Sequence, residues 1–386
     1  MSNKIKILHI ISDSNFGGAG RLLLNLSECI DKNKFEFTFA VPNNSRLVER
    51  LKKEGSVLSF SGKADTSFDV ASVASICKII RKIKPDIIHT HSSLSGKIAA
   101  KICTPKSHST VYTKHCVFEP SSLYKRNICR KIYRIVDNLL SEKIIAVADS
   151  AKQELVFKGI SPSKITVIIN GSLPLAEASE AQKSLTRRRL NISDNDFIVG
   201  IVARLEEYKG HKTFIEAAAA SKKDGENIKF LIIGDGSIKK ELVKYAKSLD
   251  VTDRVIFTGF VENVSELINI LDLNVNCSTG TETSCLAISE GASIGIPAVV
   301  SNYGGNPNMV LNGKTGYIYP QKNANELYKI IKSLKNSPKI IKKMKFNIKN
   351  DYIQRFSALK MAKLYEDFYI NLNKERILSK KRSKTR

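Results

Sequence analysis

Phe197-Ile198-Val199-Gly200-Ile201-Val202 runs directly into Ala203-Arg204-Leu205-Glu206-Glu207-Tyr208-Lys209-Gly210. Six apolar residues without polar alternation read as a strand buried on both faces, which is the habit of a parallel sheet. The loop that follows carries Arg204 and Lys209 at the strand's carboxyl end, the side of an open α/β sheet on which ligands sit. Two fixed cations there suit a diphosphate, neutralising it and stabilising it as a leaving group; two solvated surface cations are the alternative.

The same alternation of short apolar runs and longer amphipathic stretches extends along nearly the whole chain. Expected strands are residues 5–11, 36–41, 87–89, 110–113, 144–147 and 165–169, then 197–202, 229–233, 255–257, 273–276 and 298–300. Asn170-Gly171-Ser172-Leu173-Pro174 and a polar stretch after it separate the two series. The fold class expected is therefore α/β, with two Rossmann-like, doubly wound domains facing a cleft. The expected limits are 1–180 for the N-terminal domain and 181–355 for the C-terminal one. A helix over 356–373 and a basic disordered tail over 374–386 complete the chain, whose 386 residues suffice for two domains.

Composition narrows the class. A hydrophobic fraction of 42% and a charged fraction of 26% belong to a folded chain. The 62 Lys and Arg outnumber the 37 Asp and Glu, for a formal net charge of +25, so an anionic partner is expected. Nucleic acid is not the expected one: Trp is absent and no nucleic-acid module is visible. Seven cysteines without a C-x-x-C pair fit a reducing cytosol. The N-terminal apolar run is too short for a signal peptide and no run is long enough to span a bilayer. A cytoplasmic protein is expected.

Three further segments bear on chemistry. Gly17-Gly18-Ala19-Gly20-Arg21 opens a helix after the first strand, where glycines admit a ligand to the backbone and to the helix N-terminus. Glu282 and Glu290 lie a little over two helical turns apart, beyond the 273–276 strand and its Ser278-Thr279-Gly280-Thr281 loop. Carboxylates so placed suit ribose and sugar hydroxyls. The segment 123–136, with Lys125, Arg126, Arg130, Lys131 and Arg134 among apolar residues, reads as a basic amphipathic helix. It fits peripheral binding to an anionic membrane surface on the inner face of the plasma membrane, or equally a surface helix over the first sheet. His9 is expected on a buried strand, His89 and His91 at a strand end, and His108 and His211 at the surface; no histidine cluster shows metal-ligand spacing. Asp194-Asn195-Asp196 reads as a turn before a strand.

Taken in order, these motifs resemble the family 4 glycosyltransferases, a retaining group with the two-Rossmann GT-B fold. The resemblance rests on Gly17-Gly18-Ala19, Asp86-Ile87-Ile88-His89-Thr90-His91, Thr113-Lys114-His115, Asn170-Gly171, Ala203-Arg204-Leu205 and Lys209-Gly210. It continues through Ile233-Gly234-Asp235-Gly236, Phe257-Thr258-Gly259, the two glutamates and Gly304-Gly305-Asn306-Pro307. It implies transfer of a sugar from a nucleotide-sugar to a hydroxyl of a glycan or lipid-linked acceptor, in cell-surface polysaccharide or glycolipid synthesis. Arg204 and Lys209 would clamp the donor diphosphate, with backbone N–H groups of Thr283, Ser284, Cys285 and Leu286 beside them. Glu290 would hold the ribose, and Glu282 and His115 would contact the transferred sugar as the catalytic pair. Gly17 and Gly18 would border acceptor and phosphate, and the last helix would cross back to the first domain. No cofactor and no metal are expected, since cations and a helix dipole stabilise the leaving group. The sequence departs from the family pattern at Gly20, at Thr283-Ser284-Cys285 and at Asn308. A GT-B nucleotide-sugar epimerase is the nearest alternative reading; a non-catalytic anion-binding protein is a more distant one.

Overall fold

In the computed structural model of the chain the described residues are 4–14, 17–66, 68–103, 108–117, 135 and 138–384. The basic segment 123–136 lies outside them, apart from Ile135. Two compact units emerge, one from residues 1–171 together with 358–386, the other from 172–357. The division thus falls before the expected 180/181 junction.

The first unit is built on seven strands: β1 (Ile5–Ile11), β2 (Phe35–Pro42), β3 (Ser56–Phe60), β4 (Ile87–His91), β5 (Ser109–Lys114), β6 (Lys143–Ala146) and β7 (Ile165–Val167). They lie in the order β3-β2-β1-β4-β5-β6-β7. Each pairing is parallel, with Ile7 opposite Ile87 and His9 opposite His89 at the centre. Both faces are covered. On one, Leu22, Leu23 and Leu26 of the helix Gly18–Cys29 pack with Ile7, Phe39 and Val111; on the other, Leu8, Ile10 and Ile88 pack with Ile76 and Ile80 of the helix Val70–Ile83. Strand β3 was not expected. It is an edge strand, part-exposed along most of its length, so its apolar signal is diluted.

The second unit repeats the scheme with six strands: β8 (Phe197–Val202), β9 (Ile228–Ile233), β10 (Val255–Gly259), β11 (Leu273–Asn276), β12 (Ala298–Ser301) and β13 (Gly316–Tyr319). Their order is β10-β9-β8-β11-β12-β13, again parallel. The edge strand β13, only four residues long, is the other one the apolar runs did not reveal. One core face gathers Val199, Phe214, Phe230 and Leu273, the opposite one Ile198, Leu231, Ile268 and Ile296. In both sheets the order reverses beside the first strand, between β1 and β4 and between β8 and β11. These are the topological switch points at which α/β sheets open a crevice for ligands.

The last helix corrects the expected ending. It runs from Ala358 to Lys384, so that residues 374–384 of the stretch expected to be disordered are helical. Met361, Tyr365, Tyr369 and Leu372, at three- and four-residue spacing, bury themselves in the core of the first unit. The basic residues that suggested disorder are good helix formers. Two of the charged groups past residue 373 are also tethered: Arg376 donates to Asp86 Oδ1 at 2.5 Å, and Glu375 faces Lys143 at 3.6 Å. No described helix is long and apolar enough to cross a membrane.

Candidate functional site

At the switch point of the second sheet, the loops after β8 and β11 lock together. Thr279 N–H donates to the Tyr208 carbonyl at 2.8 Å. Gly210, at φ +70°, turns the first loop into the helix His211–Lys223 so closely that a Cβ there would lie 2.0 Å from the Cys277 carbonyl. Only glycine meets both demands.

This tight junction brings Lys209 to Glu282. The ammonium donates to Glu282 Oε2 at 2.7 Å, and the same oxygen accepts from Ser278 Oγ at 2.8 Å and Asn276 Nδ2 at 3.2 Å. Burial pushes against both charges, with side chains only 18% and 8% exposed. Their mutual attraction prevails: Lys209 is held above its ordinary pKa, and Glu282 below its own with the help of Ser278 and Asn276. Both groups are charged at neutral pH, so a fixed cation stands at the carboxyl ends of β8 and β11. Behind Glu282, Asn306 Nδ2 donates to Asn276 Oδ1 at 3.1 Å and to Ser301 Oγ at 2.9 Å. Ser301 Oγ in turn donates to the Ser278 carbonyl at 2.6 Å.

Thr283 and Ser284, both buried, lead from Glu282 into the helix Leu286–Ser293. Cys285 stands at its N-cap without a side-chain capping bond, and the first turn holds no acid. Its thiol is pushed up by burial and by Glu282. A helix start of this kind offers N–H groups and a positive dipole end to an anion. Glu290 is buried in the same helix. Gly305 packs on this turn, donating its N–H to the Glu282 carbonyl at 3.2 Å. Arg204 is different: it is exposed and donates to the Tyr208 hydroxyl at 2.8 Å, without joining the Lys209–Glu282 pair.

The first unit has its own cluster at the β1/β4 switch point. Gly17 forms the N-cap of the helix Gly18–Cys29, and its carbonyl accepts from Arg21 N–H at 3.0 Å. His115, just past β5 and half-buried, pairs its Nε2 with His91 Nδ1 at 3.0 Å. His9, His89 and His91 are fully buried. Their ligand atoms lie within 4.8 Å of one another, a grouping capable of holding a metal ion that the sequence spacing did not disclose. Sequence reasoning also misplaced two other histidines. His108 is buried with its Nε2 on the Ala100 carbonyl at 3.1 Å. His211 is 1% exposed, and burial together with Lys209 depresses its pKa to about 4. Both sit where the chain enters an element, and their helix or strand packs over them.

The polar support of Glu282 was missed altogether. Asn276, Ser278, Ser301 and Asn306 lie at the ends of β11 and β12 and in the Gly304-Gly305-Asn306-Pro307 loop. A signal was available in Leu273-Asn274-Val275-Asn276, where amides alternate within a strand otherwise reading as buried. Asp194-Asn195-Asp196 forms the turn expected of it, Asp196 Oδ2 accepting from Ser193 N–H at 2.8 Å.

The family model described as Glycosyl transferases group 1 matches residues 182–351, and that described as Glycosyltransferase Family 4 matches residues 16–172. An Escherichia coli protein named UDP-Gal:alpha-D-GlcNAc-diphosphoundecaprenol alpha-1,3-galactosyltransferase is 27% identical over 96% of this chain and 98% of its own length. The alpha-monoglucosyldiacylglycerol synthase of Acholeplasma laidlawii is 26% identical over 77% of this chain and 79% of its own. Among solved structures, HepE of Anabaena in complex with UDP superposes with a TM-score of 0.81 at 20% identity, covering 95% of this chain and all of that one. The two matched segments between them take in the second sheet and all of the first but β1, and the chain belongs to the family 4 glycosyltransferases, as an enzyme of the two-Rossmann GT-B fold.

Proposed function

We propose that this glycosyltransferase moves a sugar, with retention at the anomeric carbon, from a nucleotide-sugar to a hydroxyl of a glycan or lipid-linked acceptor in cell-surface polysaccharide or glycolipid synthesis. The observation that carries the proposal is the Lys209–Glu282 pair fixed at the β8/β11 switch point, beside the start of the helix Leu286–Ser293, whose N-cap residue makes no side-chain capping bond. A sugar diphosphate needs cations and N–H donors at its phosphates and hydrogen-bond acceptors at its hydroxyls, and this arrangement offers all of these within a few residues.

In this reading Lys209 and the N–H groups of Thr283 to Leu286 take the diphosphate, and Arg204 swings from Tyr208 to join them. Glu282 keeps one oxygen on Lys209 and offers the other to the transferred sugar; Glu290 takes the ribose. His115 is assigned to the sugar and Gly17 and Gly18 to the acceptor side, on the family resemblance. The departing diphosphate, neutralised by fixed charge, accepts the proton of the incoming hydroxyl on the same face, so that no enzymic nucleophile and no divalent metal are called for. The names of the Escherichia coli and Acholeplasma laidlawii relatives support lipid-linked acceptors, and the HepE complexes with UDP and UDP-glucose support a uridine donor. Peripheral attachment to the anionic inner face of the plasma membrane, through the segment 123–136, belongs to the same proposal.

The test incubates pure protein with labelled UDP- and GDP-sugars and a polyprenyl-diphosphate-linked acceptor, then determines product and anomeric configuration by NMR. A product with the donor's α configuration is the expected result. An inverted anomer would remove the retaining mechanism, and a free isomerised nucleotide-sugar would favour the epimerase.

A further inference from the structure

The parallel register of β1, β4 and β5 stacks a run of polar side chains inside the first unit. His9 lies opposite His89, and His91 opposite Thr113. Alternate residues share one face of a sheet, and on this face the rings meet Tyr365 and Tyr369 of the last helix. His89 stacks on His91 with centroids 4.3 Å apart and 27° between planes.

The ring nitrogens are almost all engaged. His9 Nδ1 meets His91 Nε2 at 3.1 Å, and His91 Nδ1 meets His115 Nε2 at 3.0 Å. His89 spends Nδ1 on the Tyr369 hydroxyl at 2.7 Å and Nε2 on the Thr113 hydroxyl at 2.6 Å. Only His9 Nε2 is buried without a partner. A metal ion would have to dislodge several of these bonds, so the contacts describe a hydrogen-bonded chain, His9 to His91 to His115, clamped by His89.

A neutral imidazole carries one N–H, so the direction of one bond fixes every other in the chain. Were His115 Nε2 the donor, His91 would donate to His9, and His9 would bury its Nε2–H against nothing. In the reverse direction the unpartnered atom is a bare lone pair, the more tolerable orphan. His9, His91 and His115 then each carry hydrogen on Nδ1.

We propose that His91 is a positioning residue, holding His115 through the buried imidazole chain in the tautomer with its hydrogen on Nδ1, so that His115 meets the sugar as a donor. This rests on the assignment of His115 to the sugar. Burial keeps the chain uncharged, with His9 lowered to about 3, His115 to about 4 and His91 well below the usual range.

Two-bond proton–nitrogen correlation spectra of the full chain labelled with ¹⁵N-histidine read the tautomer directly. The wild type is expected to show His115 protonated at Nδ1 alone. His91→Leu should release both tautomers and lower kcat roughly tenfold with little change in the donor KM, as loss of one buried hydrogen bond would. His91→Asn, whose side-chain amide stands where Nδ1 was, should restore the single tautomer and most of kcat. A wild-type His115 protonated at Nε2 or mixed between forms overturns the proposal, and so does a His91→Leu spectrum that keeps the single tautomer. If His91→Leu fails to fold, the wild-type spectrum still decides. Full transfer by His115→Ala would overturn the sugar assignment instead, and is told apart by a tautomer lock that persists in the wild type.

Discussion

Lowering the pH from 7.5 to 5.5 should loosen the first unit far more than the second. Four histidines of the first unit, His9, His89, His91 and His115, have pKa values depressed by burial, as does His211 in the second. A depressed imidazole adds stability that is complete above the unfolded value of 6.5 and is lost as the pH falls below it, because the unfolded chain takes up a proton the folded one refuses. At pH 5.5 the unfolded imidazole is about nine-tenths protonated and the folded one scarcely at all, a cost of about 1.3 kcal/mol per group relative to pH 7.5. Four groups cost the first unit about 5 kcal/mol, a large part of a typical domain's stability, whereas His211 costs the second about 1.3. Carboxylates with ordinary pKa values stay ionised across this range, so the histidines dominate the comparison. Hydrogen exchange read by mass spectrometry, corrected for the intrinsic rate, compares peptides from β1, β4 and β5 with peptides from β8, β9 and β11. Opening of the first set should rise by roughly four orders of magnitude and of the second by about tenfold. Equal loss in both units, or none in the first, would show that the four imidazoles are hydrated and titrate normally.

Other outcomes follow from particular contacts. Lys209→Ala leaves the Glu282 carboxylate buried with only Asn276 and Ser278 as donors; transfer should fall by ~10²–10³ and stability by about 3 kcal/mol. The double variant Lys209→Met/Glu282→Leu should regain the stability in urea unfolding without regaining transfer, which separates the pair's two roles. Glu154→Gln removes the buried carboxylate shared by Lys114 at 3.3 Å and Lys158 at 2.5 Å, and should lower the urea midpoint by the equivalent of about 3 kcal/mol. At Gly305 an added Cβ would stand 1.6 Å from the Thr283 carbonyl. Gly305→Ala must displace the Glu282–Thr283 backbone, and thermal shift with UDP should lose most of its ligand-induced rise while the first unit keeps its exchange pattern.

The fold was legible because a buried parallel strand can hardly be written otherwise than as an unbroken apolar run. Phe197–Val202 and Leu273–Asn276 are found where the sequence places them, and Ile5–Ile11 likewise. The two strands that escaped notice, Ser56–Phe60 and Gly316–Tyr319, close the sheets at an edge, where half the side chains meet water and the run is diluted with serine, tyrosine or glycine. The last helix escaped in part for a related reason. Lysine and arginine carry the same signature in a solvated tail and on the wet face of a helix, and what settles the matter, Arg376 on Asp86, joins residues far apart in the chain.

The site divides along the same line. Lys209 and Glu282 could be singled out because loop, strand end and helix start are local features, but their ion pair depends on β8 and β11 being neighbours across a reversal of strand order. The histidines make the point more sharply. His9, His89 and His91 look alike in the sequence, each a polar residue in or at the end of an apolar run. Whether such a residue faces solvent, a ligand or another imidazole depends on register, and a shift of one residue would turn each of them to the opposite face. With His9 opposite His89 and His91 opposite Thr113, the rings meet one another, His115 and the hydroxyls of Thr113 and Tyr369. Pairing of the strands therefore creates the chain that ends at His115, and no spacing along β1, β4 or β5 alone encodes it.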